Sequence, residues 1–122
     1  DSGAHVSQIM DSSLQTHLLS YWVREIQAMT LEDAIKQITY NTATMWGLHD
    51  RGLLREGMAA DLVVFDADTI GAKMPEVVHD LPAGAKRLKQ TADGILNTVV
   101  NGEILLTNND HSGAVPGRLL RS

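Results

Sequence analysis

The first third of the chain carries apolar residues at helical spacing. A first helix is predicted from Ser12 or Ser13, either of which is a suitable N-cap, to about Gln27. Its apolar residues recur at every fourth position, with two more that widen the stripe: Leu14, Leu18, Leu19, Trp22, Val23 and Ile26. This spacing places them in one stripe along one face of the helix.

A second helix is predicted to begin at Thr30 and to end at Gly47. The hydroxyl of Thr30 is a good N-cap, and Asp33 stands where it can close a capping box. Gly47 supplies the C-terminal stop. Six residues are expected to share one face of this helix: Leu31, Ala34, Ile35, Ile38, Thr42 and Met45. Because only a short link separates the two helices, we expect a helical hairpin.

The stretch from Asp50 to Asp66 combines two turn signals with one strong strand. Gly52 and Gly57 allow turns that need a positive φ angle. The apolar run 62–65, Leu-Val-Val-Phe, then stands between two aspartates. Its β-branched and aromatic content predicts a strand that is buried on both faces.

Turn chemistry predicts a β-hairpin further along the chain. Asn101-Gly102 separates two apolar runs, Ile95–Val100 and Glu103–Thr107. A type I′ turn needs positive φ angles at both central residues, and Asn-Gly provides them. We therefore expect these two runs to pair as antiparallel strands.

Two stretches are predicted to lack regular structure. Residues 67–91 contain two of the three prolines, and we expect a long irregular connection with one short helical turn there. The tail from Asn108 to Ser122 is polar and rich in glycine, and we expect it to lie along the surface.

Composition narrows the class of protein. The 122 residues suffice for one compact domain, and the hydrophobic fraction of 43% is close to the globular average. A net charge of −5 without a basic block argues against nucleic-acid binding, and no apolar run approaches the ~20 residues of a membrane span. Without cysteine the chain forms neither disulfides nor thiolate metal sites. We expect a cytoplasmic protein without nucleic-acid or membrane partners.

Histidines are the first candidates for chemistry. The chain has five: His5, His17, His49, His79 and His111. None forms a His-x-His or His-Glu-x-x-His pattern, so the chain contains no complete metal-binding motif. His17 falls between apolar positions of the first predicted helix, and we expect it to be partly buried and structural. The last three fall in predicted loops and are expected at the surface.

The string from Asp50 to Asp66 resembles a segment of metal-dependent amidohydrolases that follows the catalytic barrel and returns the chain to a small β-sandwich. The matching residues are Gly52, Leu54, Gly57, Ala60, Asp61, Leu62, Val63, Val64, Phe65 and Asp66. In that family these residues are scaffold and do no chemistry. The string therefore marks the family and the position within the fold, and it marks no site.

The first five residues, Asp-Ser-Gly-Ala-His, resemble the Ser-Asp-x-Gly-Ala-His string of the N-acyl-D-amino-acid deacylase (D-aminoacylase) branch. The resemblance implies that Asp1 ends the eighth barrel strand beside the metal and carries a proton from the activated water to the leaving amine. Asp1 is thus both the candidate catalytic residue and the candidate metal neighbour. His5 is the candidate for a substrate contact near the site.

The resemblance also implies an architecture and a function. Residues 1–47 would be the end of a TIM barrel with its helical hairpin, and residues 48–122 part of the small β-sandwich domain with a tail. The implied function is hydrolysis of amide C–N bonds in small N-acyl-amino-acid-like substrates, with zinc held by the remainder of a longer protein. The chain begins at Asp1 within a motif and without Met, so we expect a piece of such a protein. We expect it to bind no metal and to be inactive alone.

One departure bears on specificity. D-aminoacylases of this family follow the aspartate with a His-Pro-Arg segment whose arginine holds the substrate carboxylate, as a guanidinium fork can. The corresponding region here reads SQIMDSSLQTH, and the first arginine after Asp1 is Arg24. Specificity for acyl-D-amino acids is therefore not implied by this segment.

A second hypothesis is a non-catalytic, stand-alone remnant domain that serves assembly or binding. Under either hypothesis the 122 residues on their own leave apolar helix faces and sheet edges without cover. Such surfaces favour association, so we expect the isolated chain to be a homo-oligomer.

Overall fold

The structure is a computed structural model that describes Val6 and residues 10–120. Within this part of the chain, helical segments come first and short strands follow, and all the strand pairs are antiparallel. The fold is therefore of the α+β class, as the sequence predicts. Among the described residues, no helix is both long and apolar enough to cross a membrane.

The first helix starts as an α-helical turn, Leu14–His17, and continues as a π-helix, Leu18–Glu25. The amide of Ile26 accordingly donates to the carbonyl oxygen of Tyr21, five residues earlier, at 2.8 Å. The apolar positions of the stripe differ in exposure, since Leu19 is 5% exposed and Leu14 is 60% exposed. Within Leu18–Glu25 the wider π-helical turn rotates residues four apart away from each other, so the stripe does not stay on one face there.

The second helix runs through three consecutive segments: Leu31–Lys36 is α-helical, Gln37–Asn41 is π-helical and Thr42–Met45 is α-helical. The predicted N-cap is confirmed, because the Thr30 hydroxyl accepts a hydrogen bond from the Asp33 amide at 3.1 Å.

The predicted stop of the second helix is confirmed too, since Gly47 has a φ angle of 71°. The side chain of Met45 is exposed. Met45 lies two residues after the buried Ala43, which places it on the opposite side of that turn. The helix therefore presents its last turn to the interior through Ala43.

A four-stranded antiparallel sheet forms the largest β element. Its order is β1-β6-β7-β8, with bounds Leu62–Phe65 for β1, Ile95–Val100 for β6, Glu103–Thr107 for β7 and Asp110–His111 for β8. The predicted hairpin is confirmed to the residue. Asn101 and Gly102 form its turn with φ angles of 48° and 82°.

The prediction that β1 is buried on both faces is wrong. Leu62 and Phe65 are half-buried, but Val63 and Val64 are exposed. β1 lies at the edge of the four-stranded sheet, where β6 is its neighbour on one side only. A run of apolar residues shows that a strand is suited to burial, but not what covers it.

The two stretches predicted to be irregular contain short strands. Residues 67–93 contain two small antiparallel strand pairs. In the first pair β2 (Gly71–Ala72) lies beside β5 (Ala92–Asp93), and in the second β3 (Glu76–Val78) lies beside β4 (Arg87–Lys89). The expected helical turn is a 3₁₀ turn at Pro82–Gly84. The tail does not simply follow the surface. Its first two residues, Asn108 and Asn109, have positive φ angles and turn the chain into β8, which sequence reasoning missed.

The core joins the helices to the sheet through one loop residue. Leu19 and Ala34 of the helices are buried together with Ile70, which follows β1 and is 1% exposed. The Ile70 backbone lies directly against Gly94. An added Cβ at Gly94 would stand 2.6 Å from the Ile70 nitrogen. Gly94 therefore allows the loop to reach the helices.

Asp66 shapes this loop. Its carboxylate accepts hydrogen bonds from the Asp68 amide at 2.9 Å and from the Thr69 hydroxyl at 2.9 Å. Its carbonyl oxygen accepts from the Ile70 amide at 2.9 Å. The bond from the Asp68 amide, followed by that from the Thr69 hydroxyl, holds the pKa of the Asp66 carboxyl below its ordinary value.

We predict that Gly94→Ala destabilises the chain far more than Gly57→Ala. Both glycines have positive φ angles, 73° and 85°, so an alanine at either position costs roughly 1–2 kcal/mol of backbone strain. Only at Gly94 does the new methyl group collide with backbone, which adds roughly 1–3 kcal/mol. Urea denaturation measures both free energies of unfolding. Equal losses in the two variants would contradict the close approach of Gly94 and Ile70.

A second prediction concerns the pKa of Asp66. Thr69→Val removes a hydrogen bond to the ionised form, so the pKa of the Asp66 carboxyl should rise toward its ordinary value of 3.8. Because the folded-state pKa is lowered, the stabilisation by Asp66 is complete above pH ~3.8 and is lost as the pH falls through the folded-state value. NMR titration of the carboxyl carbon measures the shift. Thr44→Val, at a remote exposed residue, should leave the Asp66 pKa where it is.

Candidate functional site

The two site residues predicted from the sequence, Asp1 and His5, lie outside the described residues. Their assigned roles therefore stay predictions. What the structure does describe is the support that follows them: the first helix, the loop against which it packs, and the polar contacts that fix both.

Arg24 ties the first helix to the loop after β1. Its Nη1 atom donates to the carbonyl oxygen of Ile70 at 2.7 Å and to that of Ala67 at 3.2 Å. The guanidinium charge also helps to hold the pKa of Asp66 below its ordinary value, as the last and smallest cause after the hydrogen bonds. A guanidinium that donates to two carbonyl groups of its own chain is committed to structure.

A second polar network ties the stretch before β1 to the β6–β7 turn. Arg51 forms a bidentate pair with the neighbouring Asp50 and donates to Asp61 at 2.8 Å. Asp61 accepts from the Asn101 amide at 2.8 Å, and the Asn101 side chain donates to the Pro116 carbonyl oxygen at 2.7 Å. The hydrogen bonds that Arg51 donates to Asp50 hold the pKa of the Asp50 carboxyl below its ordinary value, and the same bonds raise the pKa of Arg51. These charges stabilise each other and are not poised for proton transfer.

Gly52 explains why this network lies against the second helix. An added Cβ at Gly52 would stand 2.8 Å from the Ala43 Cβ and 3.1 Å from the Thr39 carbonyl oxygen. Only a glycine allows the chain to pass so close to the helix. The string from Asp50 to Asp66 is therefore scaffold in the described structure, as its resemblance implies.

The histidines of the described residues show no catalytic geometry. His17 was predicted to be partly buried, but it is exposed and stacks on Tyr21, with ring centroids 5.2 Å apart. His49, His79 and His111 are exposed, as predicted. His17 ends the α-helical turn Leu14–His17, two residues before the buried Leu19, which places it on the opposite side of the helix.

Metal binding was tested on the described residues alone. They bring no group of three or more His, Asp or Glu side chains together in a way that could hold a metal ion. The described residues on their own therefore do not form a metal site.

The first helix borders two hollows of the described structure. An apolar groove of about 410 Å³ lies between the helices and is lined by Leu14, Gln15, His17, Leu18, Trp22 and Ile38. A more polar hollow of about 390 Å³ lies between the start of the first helix and the sheet, where Ser13, Thr16, Lys89 and Thr98 contribute.

Sequence reasoning missed the roles of Arg24 and Arg51. For Arg51 the available signal is the opposite charge of Asp61 ten residues further on. Since Arg24 binds carbonyl groups, no complementary side chain marks its partner in the sequence.

The comparisons with known proteins agree with the family resemblance of the sequence motifs. The profile of the Amidohydrolase family matches residues 3–106. N-acyl-D-glutamate deacylase of Alcaligenes xylosoxydans xylosoxydans is 39% identical over 106 residues, which are 87% of this chain and 20% of that protein.

Solved structures that resemble this chain are also deacylases of N-acyl-D-amino acids. A D-aminoacylase variant in complex with CuCl2 has a TM-score of 0.72 and 30% identity, over 88% of this chain and 21% of that one. N-acyl-D-glutamate deacylase of Bordetella bronchiseptica, complexed with zinc and a phosphonate mimic of the tetrahedral intermediate, has a TM-score of 0.68 and 33% identity, over 88% and 20%.

This chain thus spans about a fifth of the length of the relatives it matches. The resemblance to the D-aminoacylase branch that the residues show is confirmed. The family profile covers most of the chain, and the matched structures share its fold. The chain belongs to the Amidohydrolase family.

Proposed function

We propose that this chain is the C-terminal part of an amidohydrolase that hydrolyses amide bonds of N-acyl-amino-acid-like substrates. The observation that supports the proposal is the similarity, at 30–39% identity, to deacylases of N-acyl-D-amino acids over most of this chain. In this proposal the helical hairpin closes the catalytic barrel, and residues 48–122 belong to the small β-sandwich.

Asp1 carries the chemistry of the proposal. A carboxylate within hydrogen-bond reach of the attacking water accepts its proton, and the same group then gives a proton to the leaving amine. The carboxylate returns to its ionised state at the end of the cycle, so one residue serves as base and as acid. His5 lies four residues further on and is proposed to hydrogen-bond the substrate beside the reacting carbonyl group.

In the proposal the metal ion lies beside Asp1, and its other ligands come from the remainder of a longer protein. The bound ion would lower the pKa of water toward 7 and so supply the nucleophile. We propose zinc, which is present in the inhibitor complex of the Bordetella deacylase. The described residues do not form a site for it.

The substrate class is limited by the arginines. The region after Asp1 has no arginine before Arg24, whose guanidinium donates to the backbone of the loop after β1. A carboxylate clamp in the proposed enzyme therefore has to come from outside the segment 1–23. The proposal accordingly commits to an N-acyl-amino-acid-like amide and leaves the choice of amino acid to the rest of the protein.

The alternative is a stand-alone remnant for assembly or binding. Large exposed apolar side chains among the described residues, such as Trp46 at 76% and Leu54 at 87%, favour association over a solitary monomer. These exposed side chains are compatible with incorporation into a larger enzyme and with self-assembly. A measurement of amide hydrolysis separates the two hypotheses.

We predict that a chimera restores activity. In this chimera the chain replaces the matching segment of the Alcaligenes N-acyl-D-glutamate deacylase, and release of glutamate from N-acetyl-D-glutamate is measured with zinc present. The chimera should be active, and Asp1→Asn should lower its kcat by about 10²–10⁴-fold, as expected for the loss of a general base. Asp110→Asn changes an exposed carboxylate of β8 in the same way and should leave kcat nearly unchanged.

Two results would count against the proposal. A folded, zinc-loaded chimera that turns over neither N-acetyl-D-glutamate nor a panel of other N-acyl amino acids would favour the remnant hypothesis. A chimera that keeps full activity with Asp1→Asn would remove Asp1 from the mechanism while retaining the family function.

We also predict that the isolated 122-residue chain self-associates at micromolar concentration. The exposed valines of β1 and the exposed Leu14 and Trp22 of the first helix are the candidate contact surfaces. Sedimentation velocity should show a species larger than 13.3 kDa. Val63→Lys should disrupt association through the sheet edge, and Leu14→Lys association through the helix face. A monomer for the unchanged chain would contradict the prediction.

A further inference from the structure

The turn between β6 and β7 contains a residue pair that can react with itself. Asn101 is the one asparagine of the chain that precedes a glycine, and both residues of the pair are exposed. Because glycine has no Cβ, its backbone nitrogen can approach the side chain of the preceding residue without a steric clash. The pair therefore offers the least hindered geometry for an attack by the glycine nitrogen on the asparagine side-chain carbonyl carbon.

That attack leads to deamidation. The Gly102 nitrogen loses its proton and forms a bond to Cγ of Asn101, while the bond from Cγ to Nδ2 breaks and ammonia leaves. One water molecule then opens the cyclic imide at either of its two carbonyl groups. The product is an aspartate or an isoaspartate at position 101, and the reaction consumes nothing but water.

In the folded chain both reacting groups are engaged in hydrogen bonds. The Gly102 amide donates to the Ala60 carbonyl oxygen at 3.0 Å, and Nδ2 of Asn101 donates to the Pro116 carbonyl oxygen at 2.7 Å. The Asn101 amide donates to the Asp61 carboxylate at 2.8 Å, which is a charge-assisted bond. The attack removes two of these donors, because Nδ2 leaves as ammonia and the glycine nitrogen loses its proton. The turn therefore has to open before it reacts.

We propose that Asn101-Gly102 is a deamidation site that the folded turn protects, and that its reaction releases the segment 112–120 from the sheet. This reaction is separate from the amide hydrolysis of the proposed enzyme. It takes place on the chain itself and involves only residues of the described part.

The release follows from the contacts that attach the segment 112–120. The Ser112 amide donates to the Leu105 carbonyl oxygen of β7 at 3.0 Å, and four residues later Pro116 is bound by the Asn101 side chain. An aspartate at position 101 has no donor for the Pro116 carbonyl oxygen, and it adds a negative charge beside the Asp61 carboxylate. An isoaspartate also adds a carbon atom to the backbone of the turn, which no longer fits the paired positive φ angles that align β6 with β7.

The first experiment compares the folded 122-residue chain with the same chain unfolded in concentrated guanidinium chloride. Both are incubated at mildly alkaline pH, and mass spectrometry of a peptide that contains Asn101 measures the mass gain of deamidation over time. The folded chain should react about tenfold more slowly or less, because its hydrogen bonds have to open first. Equal rates in the two samples would overturn the proposal.

The second experiment weakens the turn in the folded chain. Asp61→Ala removes the acceptor of the Asn101 amide and should make deamidation about tenfold faster. The matched control is Glu56→Ala, which removes an exposed carboxylate from the stretch before β1 and should leave the rate unchanged. Hydrogen exchange of the Ile70 amide, which lies in the core loop, should be the same in all three chains because only the turn opens.

Two results of the second experiment would contradict protection by this turn. One is an unchanged deamidation rate in Asp61→Ala. The other is a faster rate that appears only together with faster exchange of the Ile70 amide, since deamidation would then follow the unfolding of the whole chain.

The third experiment tests the release with Asn101→Asp, which creates one of the two products. NMR order parameters of the Val115 and Gly117 amides should fall from ~0.85, the value of rigid backbone, to below ~0.6. Asn108→Asp is the matched control, because Asn108 has the same φ angle of 48° and adds the same charge in the turn after β7. It should leave both order parameters unchanged. Equal order parameters in Asn101→Asp and in the unchanged chain would overturn the release of the segment.

Discussion

The burial of Ile70 is the interaction on which the rest of the described structure depends. Ile70 belongs to a loop, yet it is 1% exposed and packs with Leu19 and Ala34 of the helical hairpin. A loop can deliver an apolar side chain in this way only if its backbone groups are satisfied, which Asp66 achieves, and if the chain beneath it leaves room, which Gly94 does. The helices and the sheet meet because these conditions are fulfilled together.

Features that depend on two to four neighbouring residues could be predicted from the sequence. The Thr30 cap, the Gly47 stop and the Asn101-Gly102 hairpin are all set by local backbone geometry, and the structure has them at the predicted positions. Burial depends on what packs across from a segment, which no local pattern specifies. For this reason β1 and the first helix were correctly placed, although the exposure of Val63 was not predicted.

The candidate site shows the same division. Asp1 and His5 were recognised because they form part of a short, ordered string, whereas the contacts of Arg24 lie 43 and 46 residues away and end on carbonyl oxygens that every residue possesses. Arg51 and Asp61 are only ten residues apart and have opposite charges, so their pairing was within reach of sequence reasoning. A resemblance points to candidate residues for chemistry, whereas contacts between distant parts of the chain are found from geometry.

The apolar surface of this chain links assembly to function. Only Leu19, Ala34, Ala43 and Ile70 are buried hydrophobic residues in the described part, while side chains as large as Trp46 and Leu54 are exposed. In the proposed enzyme the barrel would cover the outer faces of the helices, and in the isolated chain a second copy would cover the same faces. The two occupants therefore compete. Since Arg24 and Ile70 couple the helices to the sheet, a protein surface that covers the helix face also constrains the loop after β1. Self-association of the isolated chain is therefore expected to oppose its incorporation into an enzyme.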